Sequence, residues 1–299
     1  MKKKVLVVGG AGFLGSHVAD ALFRAGYGVR ILDLNRSSWM QPEYEFVEGD
    51  VVDPEVVREA VSGCDIVYNF AALADLEQAL VQPIETARIN VLGNVNVLEE
   101  CQKQGVKRFM YASTVYVNSR AGGFYRCSKL AAEEYVREYF RKYGLDYTIL
   151  RYGSLYGPRA GANNGLRRIV KRAVESSVVS YEGSKEAMRD YIHVTDAAQA
   201  SVTALEDSFK NKHLVLTGQE PMRVADLLKM LSEILGIEGE IWFTETHSEG
   251  HYVRTPYAYE SHTGLKYVPP VHVDLGQGLL QLIEEVSETK TSGQPSDMQ

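Results

Sequence analysis

The stretch best equipped for chemistry is Tyr125-Arg126-Cys127-Ser128-Lys129. On a helix, residues i and i+4 share a face, so a phenol and an ammonium would converge on one point. A free phenol has a pKa near ~10 and is a poor base at neutral pH; a cation beside it favours phenolate and makes it a usable general base. The pair is a common one in a chain with 18 tyrosines, and two surface residues on an amphipathic helix are the plain alternative. The segment before it adds weight. Phe109-Met110-Tyr111-Ala112-Ser113-Thr114 reads as a strand ending in two hydroxyls, either of which could hold a substrate oxygen beside Tyr125 or could simply satisfy backbone at the strand end.

A second pattern lies near the start. Residues 5–15 run an apolar strand into a glycine cluster, and His17 to Arg24 then reads as a helix. Gly9, Gly12 and Gly15 form G-x-x-G-x-x-G, related to the G-x-G-x-x-G fingerprint of dinucleotide sites but spaced differently. Gly9 would let the chain turn, Gly12 would admit a pyrophosphate, and Gly15 would seat the helix on the sheet, with free N–H groups facing the phosphates. A tight turn that binds nothing is the alternative. Val29 to Leu32 reads as a second apolar strand and ends in Asp33, eighteen residues after Gly15. An acid there can accept both ribose hydroxyls of adenosine and repels a 2′-phosphate, which favours NAD over NADP. Arg36, three residues on, tempers that preference. An oxidised nicotinamide would add its positive charge to that of Lys129 beside Tyr125.

With 299 residues, 45% hydrophobic and 24% charged, the chain suits one large domain with a lobe, or two domains. A net charge of −7 offers no general surface to nucleic acid or membrane, so an anionic substrate must meet locally placed Arg or Lys. Cys64, Cys101 and Cys127 are odd in number, lack metal-ligand spacing, and read as reduced thiols of a cytoplasmic protein with no metal. The apolar run after Lys2-Lys3-Lys4 stops at Gly9, too short for a signal sequence, and no segment nears the ~18 apolar residues of a membrane span.

The elements that must position these groups alternate. Strands are expected at 46–48, 65–69, 108–113 and 147–151, with helices at 54–61, 84–104 and 125–143 between them. The second half is expected to carry a basic helix at 163–175, a strand at 191–194, an Ala-rich helix from Thr195 and a strand at 214–216. A helix at 224–235, a strand at 241–243 and a last helix at 275–286 follow, then a disordered polar tail over 288–299. The fold class this predicts is α/β, a Rossmann-type doubly wound parallel sheet with a smaller C-terminal substrate lobe. The sheet domain is assigned 1–156 and 188–216, and the lobe 157–187 and 217–287.

Over about residues 4–286 the chain resembles the extended short-chain dehydrogenase/reductases of the NAD-dependent epimerase/dehydratase family, which act mainly on nucleotide sugars. The motifs in order are the Gly9–Gly15 loop, Asp50-Val51, Phe70-Ala71-Ala72, Asn90-Val91-x-Gly93, Ser113-Thr114-Val115-Tyr116, the Tyr125/Lys129 pair, Arg151 to Arg159, and Arg189 to Val194. The resemblance implies NAD held by Gly9, Gly12, Phe13, Leu14, Gly15, Asp33, Asn35, Arg36, Asp50, Val51, Phe70, Ala71, Ala72, Asn90, Tyr125, Lys129 and Tyr152. It implies catalysis by Tyr125, Lys129 and Thr114 or Ser113, with the substrate held by Ser154, Arg159, Arg189 and Arg254.

Departures from the family pattern are informative. Counted from Phe109, Thr114 takes the catalytic hydroxyl's place; counted back from Val115-Tyr116, that place falls on Ala112, and the strand-side count is preferred because Phe-x-x-x-Ser-Thr fits and a short deletion after Thr114 is the simpler account. Sugar 4,6-dehydratases carry an Asp-Glu pair directly after this Thr, and here Val115 follows. Ser154 stands where the family has Asn, and only eight residues separate Tyr116 from Tyr125, which predicts an open mouth to the site. The resemblance therefore implies a nucleotide-sugar 4-epimerase working through a keto intermediate. The alternatives are a keto-sugar reductase or dehydrogenase, a dehydratase, or a non-catalytic NAD-binding regulator. It also implies a homodimer built on the helices at 84–104 and 125–143, the second carrying Leu130, Tyr135, Val136, Tyr139 and Phe140.

Overall fold

Residues 2–218, 221–239 and 241–244 are described by the computed structural model. Met1–Tyr259 forms one compact unit, to which all of them belong, and Glu260–Gln299 another. The helix expected at 275–286, the tail over 288–299 and Arg254 lie outside the described residues.

Seven parallel strands make the main sheet, in the order β11-β6-β5-β4-β1-β2-β3. They are β1 (Lys4–Val8), β2 (Gly28–Asp33), β3 (Glu45–Glu48), β4 (Ile66–Asn69), β5 (Arg108–Thr114), β6 (Tyr147–Tyr152) and β11 (Lys212–Leu216). The central strands are nearly continuous apolar runs because helices cover both faces of the sheet. The order reverses between β1 and β4, the switch point at which such sheets open a crevice beyond their C-terminal ends.

On one face α2 (Pro54–Val61), α5 (Asn94–Gln104) and α6 (Gly123–Tyr143) bury Val57, Val97, Leu98, Ala132 and Val136 against Leu6, Val67, Phe109 and Tyr111. On the other, α1 (Phe13–Arg24) and α8 (Val194–Thr203) bury Val18, Leu22, Ala197 and Ala198 against Val5, Val7, Met110 and Leu150. Local chemistry sets the ends. Asp53 caps α2 by accepting from Glu55 and Val56 N–H with Pro54 at the first turn, and Gly144, at φ 72°, ends α6.

The helix expected at 84–104 is not regular. A short α3 (Leu76–Val81) precedes it, α4 (Pro83–Ala87) begins it, and a π turn at Arg88–Gly93 joins α4 to α5. The helix expected from Tyr125 begins two residues earlier, at Gly123.

Small paired strands follow the sheet's C-terminal edge. β7 (Ser154–Tyr156) pairs in parallel with β10 (Tyr191–His193), and β8 (Ser180–Glu182) with β13 (Trp242–Thr244). β9 (Met188–Arg189) pairs antiparallel with β12 (Met222–Arg223). β8 and β13, with α7 (Gly165–Ser176) and α9 (Val224–Leu235), enclose a separate small core of Ala173, Val179, Ala187, Val224 and Leu228, whereas Leu155 of β7 and Ile192 of β10 pack in the main core.

Candidate active site

The glycine loop was read by function, and the backbone separates its three roles. Gly9 sits at φ +75°, and a Cβ there would stand 2.7 Å from Ala71 N. At Gly15 a Cβ would stand 2.2 Å from the Gly9 carbonyl oxygen, so the helix-seating role is steric. Gly12 is different: its nearest neighbour to a Cβ is the Gly9 oxygen at 3.3 Å, and its φ is an ordinary −76°. The fold itself does not require glycine there, whereas close approach of a phosphate does. Phe13 and Leu14 begin α1 directly after Gly12, and no side chain caps that helix.

Asp33, at the end of β2, accepts from Ala11 N–H (2.9 Å) through Oδ2 and from Leu34 N–H (2.8 Å) through Oδ1. It thereby ties the glycine loop to β2, and each oxygen keeps a lone pair for a ribose hydroxyl. Asn35 and Arg36 are exposed, and the Arg36 guanidinium lies 4.9 Å over the Phe46 ring. Asp50 accepts from Val52 N–H and lies 3.5 Å from Arg88, while Val51 is buried against Gly93 of the π turn. Phe70 stacks on Tyr68, and Ala71, followed by Ala72, donates to Asn69 Oδ1. These residues fit an adenosine dinucleotide laid across the ends of β1, β2 and β4.

Two residues of that set are placed otherwise. Asn90, 2% exposed, has its amide committed: it accepts from Leu73 N–H (2.7 Å) and donates to Leu73 O (3.1 Å) and Ser128 Oγ (2.9 Å). Ser128 in turn donates to Tyr125 O at 2.8 Å. Asn90 is thus a strut between the loop after β4 and the helix that carries Tyr125. Tyr152 is 5% exposed and its hydroxyl meets Ser201 Oγ at 2.6 Å on the α8 side.

Tyr125 and Thr114 line a cleft of about 580 Å³ together with residues of β7, α7, β8 and β9. Burial pushes the Tyr125 phenol up to about 12, opposed by a side-chain hydrogen bond with Thr114. Lys129 is 3% exposed, donates to Ala112 O at 2.9 Å, and lies 5.0 Å and 5.9 Å over the Tyr111 and Tyr125 rings. Burial pushes its ammonium down to about 8, opposed by Glu133. The two groups converge as the i, i+4 spacing predicted. Desolvation is the larger influence on the phenol and Thr114 the opposing one; the lowering expected from Lys129 together with an oxidised nicotinamide concerns the cofactor-bound site.

Strand alternation decides between the two hydroxyls. Thr114 faces the cleft, whereas Ser113 is 4% exposed and donates to the buried Glu133 Oε1 at 2.6 Å. Ser113 is therefore on the wrong face to touch a substrate in the cleft.

Of the substrate residues, Ser154 and Arg189 line the cleft, the latter 7% exposed and donating to Met188 O (2.8 Å) and the Tyr181 hydroxyl (3.2 Å). Arg159 is not among its lining residues: it pairs with Asp20 of α1 at 2.7 Å and lies over the Trp39 ring, in a left-handed backbone conformation at φ 64°. Sequence reasoning missed Asp75, Glu77, Arg168 and Arg172 as lining residues. The i, i+4 spacing of the two arginines on the basic helix was the available signal for that pair.

Residues 5–217 match the family model of the NAD dependent epimerase/dehydratase family. A putative UDP-glucose 4-epimerase of Methanocaldococcus jannaschii is 28% identical over 93% of this chain and 97% of its own length. The crystal structure of a UDP-glucose 4-epimerase with UDP-glucose from Thermotoga maritima is similar at a TM-score of 0.77, with 28% identity over 96% of this chain and 99% of that one. A Thermus thermophilus UDP-glucose 4-epimerase in complex with NAD is similar at 0.75, with 27% identity over 86% and 90%. With the match spanning the whole sheet and the cleft residues from Thr114 to Arg189, the chain belongs to the NAD-dependent epimerase/dehydratase family.

Proposed function

We propose that this chain is an NAD-dependent nucleotide-sugar epimerase acting at C4 of the sugar. The observation that carries the reading is the meeting of Thr114 and Tyr125 in one cleft, with the Lys129 ammonium beneath the Tyr125 ring. NAD, held by the Gly9–Gly15 loop and Asp33, supplies a reversible hydride acceptor and a positive charge beside Tyr125. Thr114 orients the sugar hydroxyl, Tyr125 takes its proton as the C4 hydride leaves, and Lys129 stabilises the phenolate. Tyr125 gives the proton back to the C4 oxygen when the carbonyl is reduced on its other face, which yields the 4-epimer. Arg189 and Ser154 hold the nucleotide diphosphate end. Val115, 1% exposed and apolar, leaves the dehydratase reading without its acid and base at that position.

The small core around Val224 and Leu228 is the substrate lobe in this reading, and the protein works in the cytoplasm as a homodimer. Val136 is fully buried and Tyr139 and Phe140 pack on the main core, so the dimer surface rests instead on Tyr135 (46% exposed), Ile84 (84%) and Leu92 (50%). Light scattering tests the dimer.

The function is tested by screening UDP-, GDP-, dTDP- and CDP-sugars by NMR with the purified protein, and by Tyr125→Phe. The variant should keep its fold and NAD affinity and lose at least ~10²-fold in turnover. A loss within a factor of about three (~0.7 kcal/mol in barrier terms) would remove Tyr125 as the base. Stoichiometric NAD with no turnover of any nucleotide sugar would instead support the regulator.

A further inference from the structure

Tyr125 and Lys129 occupy successive turns of α6, and the next turn carries Glu133, at 0% exposure and outside the cleft lining. Its carboxylate is held from two strands. Oε1 accepts from Ser113 Oγ of β5 (2.6 Å) and Arg151 Nε of β6 (2.9 Å), and Oε2 accepts from Arg151 Nη2 (2.7 Å). Arg151 is steadied in turn by Asn118 Oδ1 (3.3 Å) and His213 Nδ1 of β11 (3.2 Å). Arg137 approaches Glu133 from one turn further along α6, at 3.8 Å. Lys129 is far less provided for: its ammonium has the Ala112 carbonyl and two ring faces. A buried ammonium so placed sheds its proton readily unless a fixed negative charge stands near.

We propose that Glu133, pinned by Ser113 and Arg151, is a positioning residue: the built-in counter-charge that keeps the Lys129 ammonium protonated beneath Tyr125. That role presupposes Tyr125 and Lys129 as the reacting pair. The other titratable groups facing these two residues are Tyr111 of β5, Tyr147 of β6 and His213 of β11. Burial holds all three toward their neutral forms. Among the described residues, Glu133 is the charged group acting on Lys129, while Arg151 and Arg137 act on Glu133.

The test uses the full chain labelled with ¹³Cε-lysine, the Lys129 resonance being assigned by its loss in Lys129→Met. Glu133→Gln keeps an acceptor for Ser113 and removes the charge; Glu133→Gln with Arg151→Met does so without leaving a buried guanidinium unpaired. The Lys129 titration midpoint should fall by about one pH unit in Glu133→Gln, a typical effect of one nearby charge, and by less in the double variant, which also removes the more distant Arg151 cation. Glu133→Asp should recover part of the shift. The alkaline limb of the turnover–pH profile should move by the same amount with KM unchanged. A midpoint within about 0.3 units of the parent overturns the role, whatever happens to turnover, since a purely structural Glu133 would lower amplitude without moving Lys129. A shifted midpoint with an unmoved alkaline limb supports it and overturns Lys129 as a reacting group, so the two failures are distinct.

Discussion

Ser113 and Thr114 are neighbours on β5 and serve opposite sides of it: Thr114 bonds the Tyr125 phenol in the cleft, and Ser113 donates to Glu133 at 2.6 Å behind it. Their alanine variants should therefore fail differently. Thr114→Ala should cut turnover about tenfold (about 1.4 kcal/mol) with the melting temperature unchanged. Ser113→Ala removes a donor from a fully buried carboxylate and should lower stability by about 1–3 kcal/mol while keeping most of the turnover. Thermal melts and kinetics on both variants decide it; the reverse pattern would place the catalytic hydroxyl on Ser113.

The glycine loop supports a second contrast. Gly12→Ala should leave stability within about 1 kcal/mol, because the added methyl meets only one oxygen at 3.3 Å, yet should weaken NAD at least tenfold, to judge by calorimetry. Gly15→Ala forces a methyl to 2.2 Å from the Gly9 oxygen and should destabilise the apo protein by about 1–3 kcal/mol. Equal NAD affinity in Gly12→Ala would take the pyrophosphate away from this loop.

Arg189 and Arg159 should also part company. Arg189→Ala opens the cleft wall and should raise KM for a nucleotide sugar roughly tenfold, about 1.4 kcal/mol. Arg159→Ala breaks its pair with Asp20, should lower stability by about 1–2 kcal/mol, and should leave KM alone. A KM effect from Arg159 larger than that from Arg189 would contradict the placement of the cleft.

Lys129 sets a pH dependence whose direction follows from its burial. Its folded-state value near 8 lies below that of an exposed lysine, so the unfolded chain holds this proton more tightly. Its contribution to stability is thus full above the unfolded value and is lost as pH falls through about 8. At pH 7 the buried charge opposes folding, so Lys129→Met should melt higher than the parent there, by something on the order of 1–3 kcal/mol. The gap should close toward pH 10.5, near the ordinary lysine value, while turnover is lost throughout. Calorimetry at both pH values checks it; a variant less stable at pH 7 would mean that Lys129 is not carrying a desolvated charge.

The strands, the glycine loop and the Tyr125–Lys129 pair were legible in the sequence because each rests on local spacing. An apolar run followed by glycines, or a pair four residues apart on a helix, carries its geometry with it. Arg159 and Asn90 were not legible, because their roles depend on partners far along the chain: Asp20 for the one, Leu73 and Ser128 for the other. The count from Phe109 favoured Thr114 over Ser113, and the facing of β5 turns Thr114 toward the cleft and Ser113 toward Glu133. The short strands β7, β8, β9 and β12 were missed because two or three residues of mixed polarity give no signal, whereas the equally short β10 and β13 lie in the apolar and aromatic runs at 191–194 and 241–243.

The π turn at Arg88–Gly93 has a bearing on which length changes the chain tolerates. Each residue of a regular helix advances the side chains by about 100°, and a π turn holds one residue more than an α turn. Upstream of Asn94, the phase is set by Asn90, which must look inward at Leu73 and Ser128. Downstream, it is set by Val97, Leu98 and Cys101, which must look at the sheet. The wide turn lies between the two, so a change of length within it alters one phase relative to the other. Deleting one residue between Asn90 and Asn94, with α5 keeping its core contacts, would turn Asn90 by about 100° relative to α5 and swing its amide away from both partners. The loop after β4 would then lose its tie to the Tyr125 helix without a single cleft residue having been changed, so this stretch is intolerant of length change while remaining permissive of substitution on its outer side.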